Sequence, residues 1–173
     1  MGALLRSLGA ALVLAAPLAA QEALVSRGFE HFYNLEYDEA IADFSEAVKQ
    51  HPELPSAYNH LAQAILYHAM FRAGALESEL VTGSNPFLRR PKVEATPEEN
   101  RRFQQAVQKS MELCQARLRQ NPQDPKALYA LGVAHGWRAN YNFLVRKAWR
   151  DALRDATNAR KLHNKVSELD PSM

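Results

Sequence analysis

The stretch YDEAIADFSEAVKQHP, residues 37–52, decides the fold. Its apolar positions Tyr37, Ala40, Phe44 and Ala47 step by three and four residues, so they line one side of a helix and would scatter over both faces of a strand. The helix has to end at His51-Pro52. A residue before proline is pushed out of the α region, and proline offers no N–H to the preceding turn. Beyond residue 21 the same periodicity continues on both sides, and hardly any segment has the strict alternation or the Val/Ile/Thr enrichment of a strand. This part of the chain reads as all-α.

The other helix boundaries are also marked by prolines. Asn121-Pro122 ends a helix, and Asp124-Pro125 starts the next, with Asp124 as N-cap and Pro125 at the first helical position. At Thr96-Pro97-Glu98-Glu99 a threonine cap, a first-turn proline and a capping-box glutamate coincide. The spacing predicts helices over 22–34, 38–50, 55–72, 98–120, 125–141 and 143–169, which form three pairs. Residues 73–96 carry Gly83, Asn85, Pro86 and Pro91 and read as an insertion in the second pair, with room for one short helix. In the last helix Val145, Trp149, Ala152, Ala156, Ala159, His163 and Val166 are expected to make one continuous apolar face.

The pairs repeat. Leu24 and Tyr58 are 34 residues apart, as are Gly28 and Ala62; their next equivalents, Leu128 and Gly132, follow 70 residues later, two periods plus two residues. Leu24, Gly28, Tyr37, Ala40, Phe44, Ala47 and Pro52 together resemble the tetratricopeptide (TPR) repeat. The resemblance implies a TPR-like α-solenoid, with units at about 22–54, 55–124 and 125–171. It weakens in the later second helices, where Ser110, Cys114, Ala159 and His163 replace the small and aromatic residues of the first unit. The small residues would let paired helices approach, and Phe44 would fill the space between pairs. The stretch from ALYALG to ARKLHNKVSELDP is similar to an exported bacterial TPR group of uncertain role. The array is expected to lack a final solvating helix, leaving Leu162, Val166 and Leu169 as a face for self-association.

In TPR superhelices the first helix of each pair lines a concave surface on which protein segments dock, so the resemblance implies a protein or peptide partner. Tyr33, Tyr67 and Trp137 recur at one equivalent place in the three first helices. Tyr129 and Val133 precede Trp137 at steps of four, Asn59 and Gln63 add amides able to bond a peptide backbone, and Phe29 extends the apolar part. These eight residues are the expected partner-binding set, with the loop around Phe87 and Arg89 as a lid. Val25 and Phe29 stand where carboxylate-clamp TPR domains place lysine and asparagine, which argues against that ligand class. The competing reading is that the aromatics are packing residues.

Composition and motifs narrow the chemistry. The 173 residues are 47% hydrophobic and 23% charged, a globular composition, and 21 basic against 19 acidic residues imply no nucleic-acid partner from bulk charge. One cysteine, Cys114, can form neither an internal disulfide nor a cysteine-based zinc site. The six histidines lack metal-ligand spacing: His60 and His68 are eight apart, and His31 and His135 occupy equivalent first-helix places suited to packing. Glu77 and Glu79 have no nearby nucleophile, and no phosphate loop, nucleophile elbow or dinucleotide fingerprint occurs. Arg146, Arg150 and Arg154 recur every four residues, but Asp151 and Asp155 interrupt them, as on an ordinary salt-bridged helix. No metal, cofactor, catalytic residue or nucleic-acid partner is implied.

At the N-terminus Arg6 precedes an apolar run from Leu8 to Leu18 and small residues up to Gln21. This is the order of a signal peptide, residues 1–20, ahead of a domain over 21–173. Removal after Ala20 would leave 20 basic and 19 acidic residues in an exported, periplasmic or cell-envelope protein with no membrane span. Leu18, three places before the cut, leaves a retained anchor as the alternative. The leading functional expectation is a non-enzymatic interaction module or scaffold. Its rivals are an envelope enzyme or subunit with its site in the insertion or in a missing C-terminal part, and a purely structural domain.

Overall fold

The computed structural model describes residues 22–76 and 93–171; the expected signal peptide, the insertion's Glu77, Glu79, Phe87 and Arg89, and the last two residues lie outside them. Among the described residues the chain is all-helical. The helices are α1 (22–33), α2 (Tyr37–Gln50), α3 (Pro55–Arg72), α4 (Pro97–Gln120), α5 (Pro125–Leu144) and α6 (Trp149–Leu169). No described helix is long and apolar enough to cross a membrane.

The start signals act as their chemistry requires. Thr96 Oγ1 accepts the Glu99 N–H at 3.1 Å while Glu99 Oε2 accepts the Thr96 N–H at 2.7 Å, a closed capping box. Asp124 Oδ1 accepts the Ala127 N–H at 3.1 Å, and Pro55, Pro97 and Pro125 all sit in first turns. Each turn inside a pair contains one left-handed residue: Leu35 (φ 64°), Gly74 (φ 64°) and Lys147 (φ 54°). In the first two turns the amide after that residue reaches back to the carbonyl five places earlier, Glu36 to His31 and Ala75 to Met70, which closes the helix end.

Two boundaries differ from expectation by more than one residue. The fifth helix runs to Leu144 instead of 141, and the last begins at Trp149 instead of 143. Backbone bonds hold residues 145–148 in the break: the Val145 and Arg146 N–H groups both donate to Tyr141 O, and the Ala148 N–H to Asn142 O, with Arg146 Nη1 donating to Asn142 Oδ1 at 2.9 Å beside them. Val145 therefore lies outside α6. Its buried side is Ala152, Asp155, Ala159 and Val166, while Ala156 and Trp149 of the expected face are exposed. Val166 is buried and Leu162 packs on the core, so of the expected sticky face Leu169 alone is exposed.

Consecutive helices pack on one another from α2 to α6, and α3 also packs on α5. One apolar core runs through α1 to α5, from Phe32 and Phe44 through Ile65 and Phe103 to Leu131 and Tyr141. Phe103 and Tyr141 stack at 4.2 Å, and the Tyr141 hydroxyl donates to Asn100 Oδ1 at 2.8 Å. Complete burial of a ring such as Phe44 contributes about 2–3 kcal/mol.

Candidate functional site

The expected partner-binding residues fall on the first helix of each pair: Phe29 and Tyr33 on α1, Asn59, Gln63 and Tyr67 on α3, Tyr129, Val133 and Trp137 on α5. Asn59 meets Ala130 and, two turns on, Tyr67 meets Trp137, so α3 and α5 run in the same direction with these positions in register. The rings form a continuous run across three helices. Phe29 stacks on Tyr33 at 6.2 Å, Phe32 touches both Tyr33 at 5.5 Å and Tyr67 at 5.0 Å, and Tyr67 meets Trp137 edge-on at 6.1 Å. Phe32, absent from the expected set, is the bridge. Tyr33, 75% exposed, is the most open ring of the run, whereas Tyr67 and Trp137 are half-buried against the core.

Two expected members are placed differently. Asn59 is only 3% exposed and its amide donates to Ala130 O at 2.9 Å, so it ties α3 to α5 and is not presented to a partner. Tyr129 is exposed but rests its edge on His163 of α6 at 5.3 Å, which puts it on the α5–α6 seam. Gln63 and Val133 are half-buried on the first-helix side. Beside the aromatic run, the Trp137 indole N–H and His60 Nδ1 are buried and meet no polar atom. His60 packs edge-on to Phe29 at 4.8 Å and near Phe44 at 5.6 Å, and burial pulls its pKa down to about 4, so it is neutral at pH 7.

The charged groups that residue pattern alone leaves unassigned form three similar clusters. In every pair, a carboxylate of the second helix faces an arginine and a histidine of the first. Asp43 accepts from Arg27 Nε at 2.7 Å, with His31 Nε2 3.9 Å away. Glu99 takes Arg72 at 2.6 Å, and His68 Nδ1 lies 3.0 Å from its other oxygen without the alignment of a hydrogen bond. Asp155, 1% exposed, is the most enclosed: Arg138 donates to both oxygens at 2.6 and 2.9 Å, His135 Nδ1 lies at 3.0 Å and the Asn142 amide donates at 3.1 Å. Burial pushes the Asp155 carboxyl up, but the Arg138 and His135 bonds and charges outweigh it and hold the carboxyl below its usual value.

His135, expected as a packing residue, is thus part of an ion cluster. The legible signal was Asp155 itself, a carboxylate three and four residues from Ala152 and Ala159 on the buried face.

Each of these clusters joins the two helices of its pair. Burial raises the Cys114 thiol to about 11, so it is a poor nucleophile. Among the described residues no group of three His, Cys, Asp or Glu side chains could hold a metal ion. A depression of about 470 Å³ between α2, α3 and α4, lined in part by Tyr58, Arg102 and Lys109, includes none of the expected site residues. No protein-family model matches this chain, and no match is found among curated proteins.

Proposed function

We propose that this chain is an exported protein-interaction module, a TPR-like solenoid of three helix pairs that holds a protein segment along α1, α3 and α5. The observation that carries the reading is the aromatic run from Tyr33 through Phe32 and Tyr67 to Trp137, contributed by three first helices, of which α3 and α5 have equivalent positions in register. The repeat geometry supports it. A Cβ on Gly28 would lie 2.7 Å from Phe44 and one on Gly132 2.8 Å from His163, the close approaches that the small repeat positions exist to permit. The open ring of Tyr33 and the Gln63 amide supply contact area and hydrogen bonding at little entropic cost.

Photo-crosslinking amino acids placed at Tyr33 and Gln63 in the native cell should each yield one discrete adduct, and the same probe at Glu112 of α4 none. Replacing Tyr67 and Trp137 together by alanine should weaken that partner's binding by about 2 kcal/mol or more, with Tyr33→Ala, at a mostly exposed ring, as the milder variant. A folded triple variant that binds its partner normally would exclude this face. Sequencing of the protein recovered from cells should begin at or near Gln21; a cytoplasmic form beginning at Met1 would remove the exported part of the reading.

A further inference from the structure

Charge is unevenly spread along the chain. Residues 146–165 hold seven basic and two acidic side chains, and the rest of the sequence holds 14 basic against 17 acidic. At about 100° per residue, Trp149, Leu153 and Ala156 share one side of α6 while Arg150, Arg154 and Lys161 occupy the adjoining side. Arg160 follows the apolar stripe one turn on. All of these side chains are exposed, Leu153 at 70% and Trp149 at 44%. Arg154 pairs with Asp151 at 2.8 Å, but Arg150, Arg160 and Lys161 have no carboxylate partner among the described residues. Lys147 Nζ stands 5.9 Å from the Trp149 ring, and Trp149 and Leu153 line an apolar hollow of about 440 Å³ between α5 and α6.

Each element of this surface excludes some occupants. Free cations would suit nucleic acid, but an open leucine beside them would contribute nothing to phosphate binding. A second copy could cover Leu153 across a twofold axis, yet an antiparallel pairing would set the basic side chains against their own copies, and a parallel one would leave them without an acidic surface to meet. An anionic bilayer satisfies both halves: the leucine enters the acyl boundary, the indole sits at headgroup depth, and the arginines and lysine meet lipid phosphates. We propose that the outward face of α6 docks this protein peripherally on a bilayer rich in anionic phospholipid. The face uses no residue of the aromatic run, so partner and membrane can be held together.

The test is flotation of protein purified from its own cells with vesicles of phosphatidylethanolamine and phosphatidylglycerol, against vesicles of phosphatidylcholine alone. Partitioning should be about tenfold or more in favour of the anionic vesicles and fall with salt. Brominated acyl chains should quench tryptophan emission. Leu153→Glu, and separately Arg150→Glu with Lys161→Glu, should each lose about tenfold, with helix content unchanged because none of these side chains is packed. Equal binding to both vesicle types, no binding, or wild-type binding by the variants would overturn the proposal. So would duplex DNA binding that ignores Leu153, or a dimer abolished by Leu153→Glu without vesicle binding.

Discussion

Asp155 and His60 are two buried ionisable side chains with opposite solutions to burial. Asp155 keeps its charge because Arg138, His135 and Asn142 all face it. Replacing it by asparagine leaves Arg138 and His135 without their anion, and we expect a loss of about 3 kcal/mol, read from urea unfolding. With its folded pKa below the ordinary 3.8, its contribution is complete above that pH and is lost as pH falls below it. His60 instead gives up its charge. Between pH 6.5 and about 4 the unfolded chain takes up a proton that the folded one refuses, so stability should drop by about 3 kcal/mol as pH falls through that window. His31 is raised by its bond to Glu36, against the opposing effect of burial, and contributes in the opposite sense above it. His60→Leu should flatten the decline; an unchanged slope would assign it to other groups.

Among the helices, three glycines offer a graded test of how tightly the pairs close. Alanine at Gly136 meets no atom within 4 Å and should stabilise by up to about 1 kcal/mol through helix propensity. At Gly28 the same change drives a methyl into fully buried Phe44, and overpacking should exceed the propensity gain, a net loss of about 1–2 kcal/mol. Gly132 should fall between them, because half-exposed His163 can turn aside. Thermal unfolding of the three variants gives the order, and a Gly28→Ala protein as stable as Gly136→Ala would contradict close packing at the first pair. The helices themselves were legible wherever proline or a capping side chain marked a boundary, as at Thr96 and Asp124. The α5–α6 break was not, since residues 142–148 contain neither glycine nor proline and turn on Lys147 in a left-handed conformation. That misplacement also hid the cluster: starting α6 six residues early assigned Ala156 to the buried face, and alanine fits either side. The aromatic run was legible as a spacing, but Phe32, one residue before Tyr33, carries the link that spacing alone does not specify.

Across the whole molecule, the segment at the end of the insertion is tied both to the third pair and back to α3. The Val93 N–H donates to Leu144 O at 3.0 Å, so the segment entering α4 closes the end of α5, and Arg72 of α3 reaches both Glu99 and the Glu94 carbonyl. Buried Ser110 of α4 donates to Pro55 O at the other end of α3. None of these contacts depends on peptide continuity through residues 77–92. The chain should therefore behave as a self-complementing pair of fragments: residues 22–76 and 93–171, expressed separately and mixed, should reassemble through the shared core, with native circular dichroism and the Tyr67–Trp137 contact, which crosses between the fragments, regained only in the mixture. Fragments that stay unfolded together would mean that the covalent tether, and not the interface, holds the two halves. If they do reassemble, the site between them is a permissive locus at which foreign sequence can be spliced in and reporters divided.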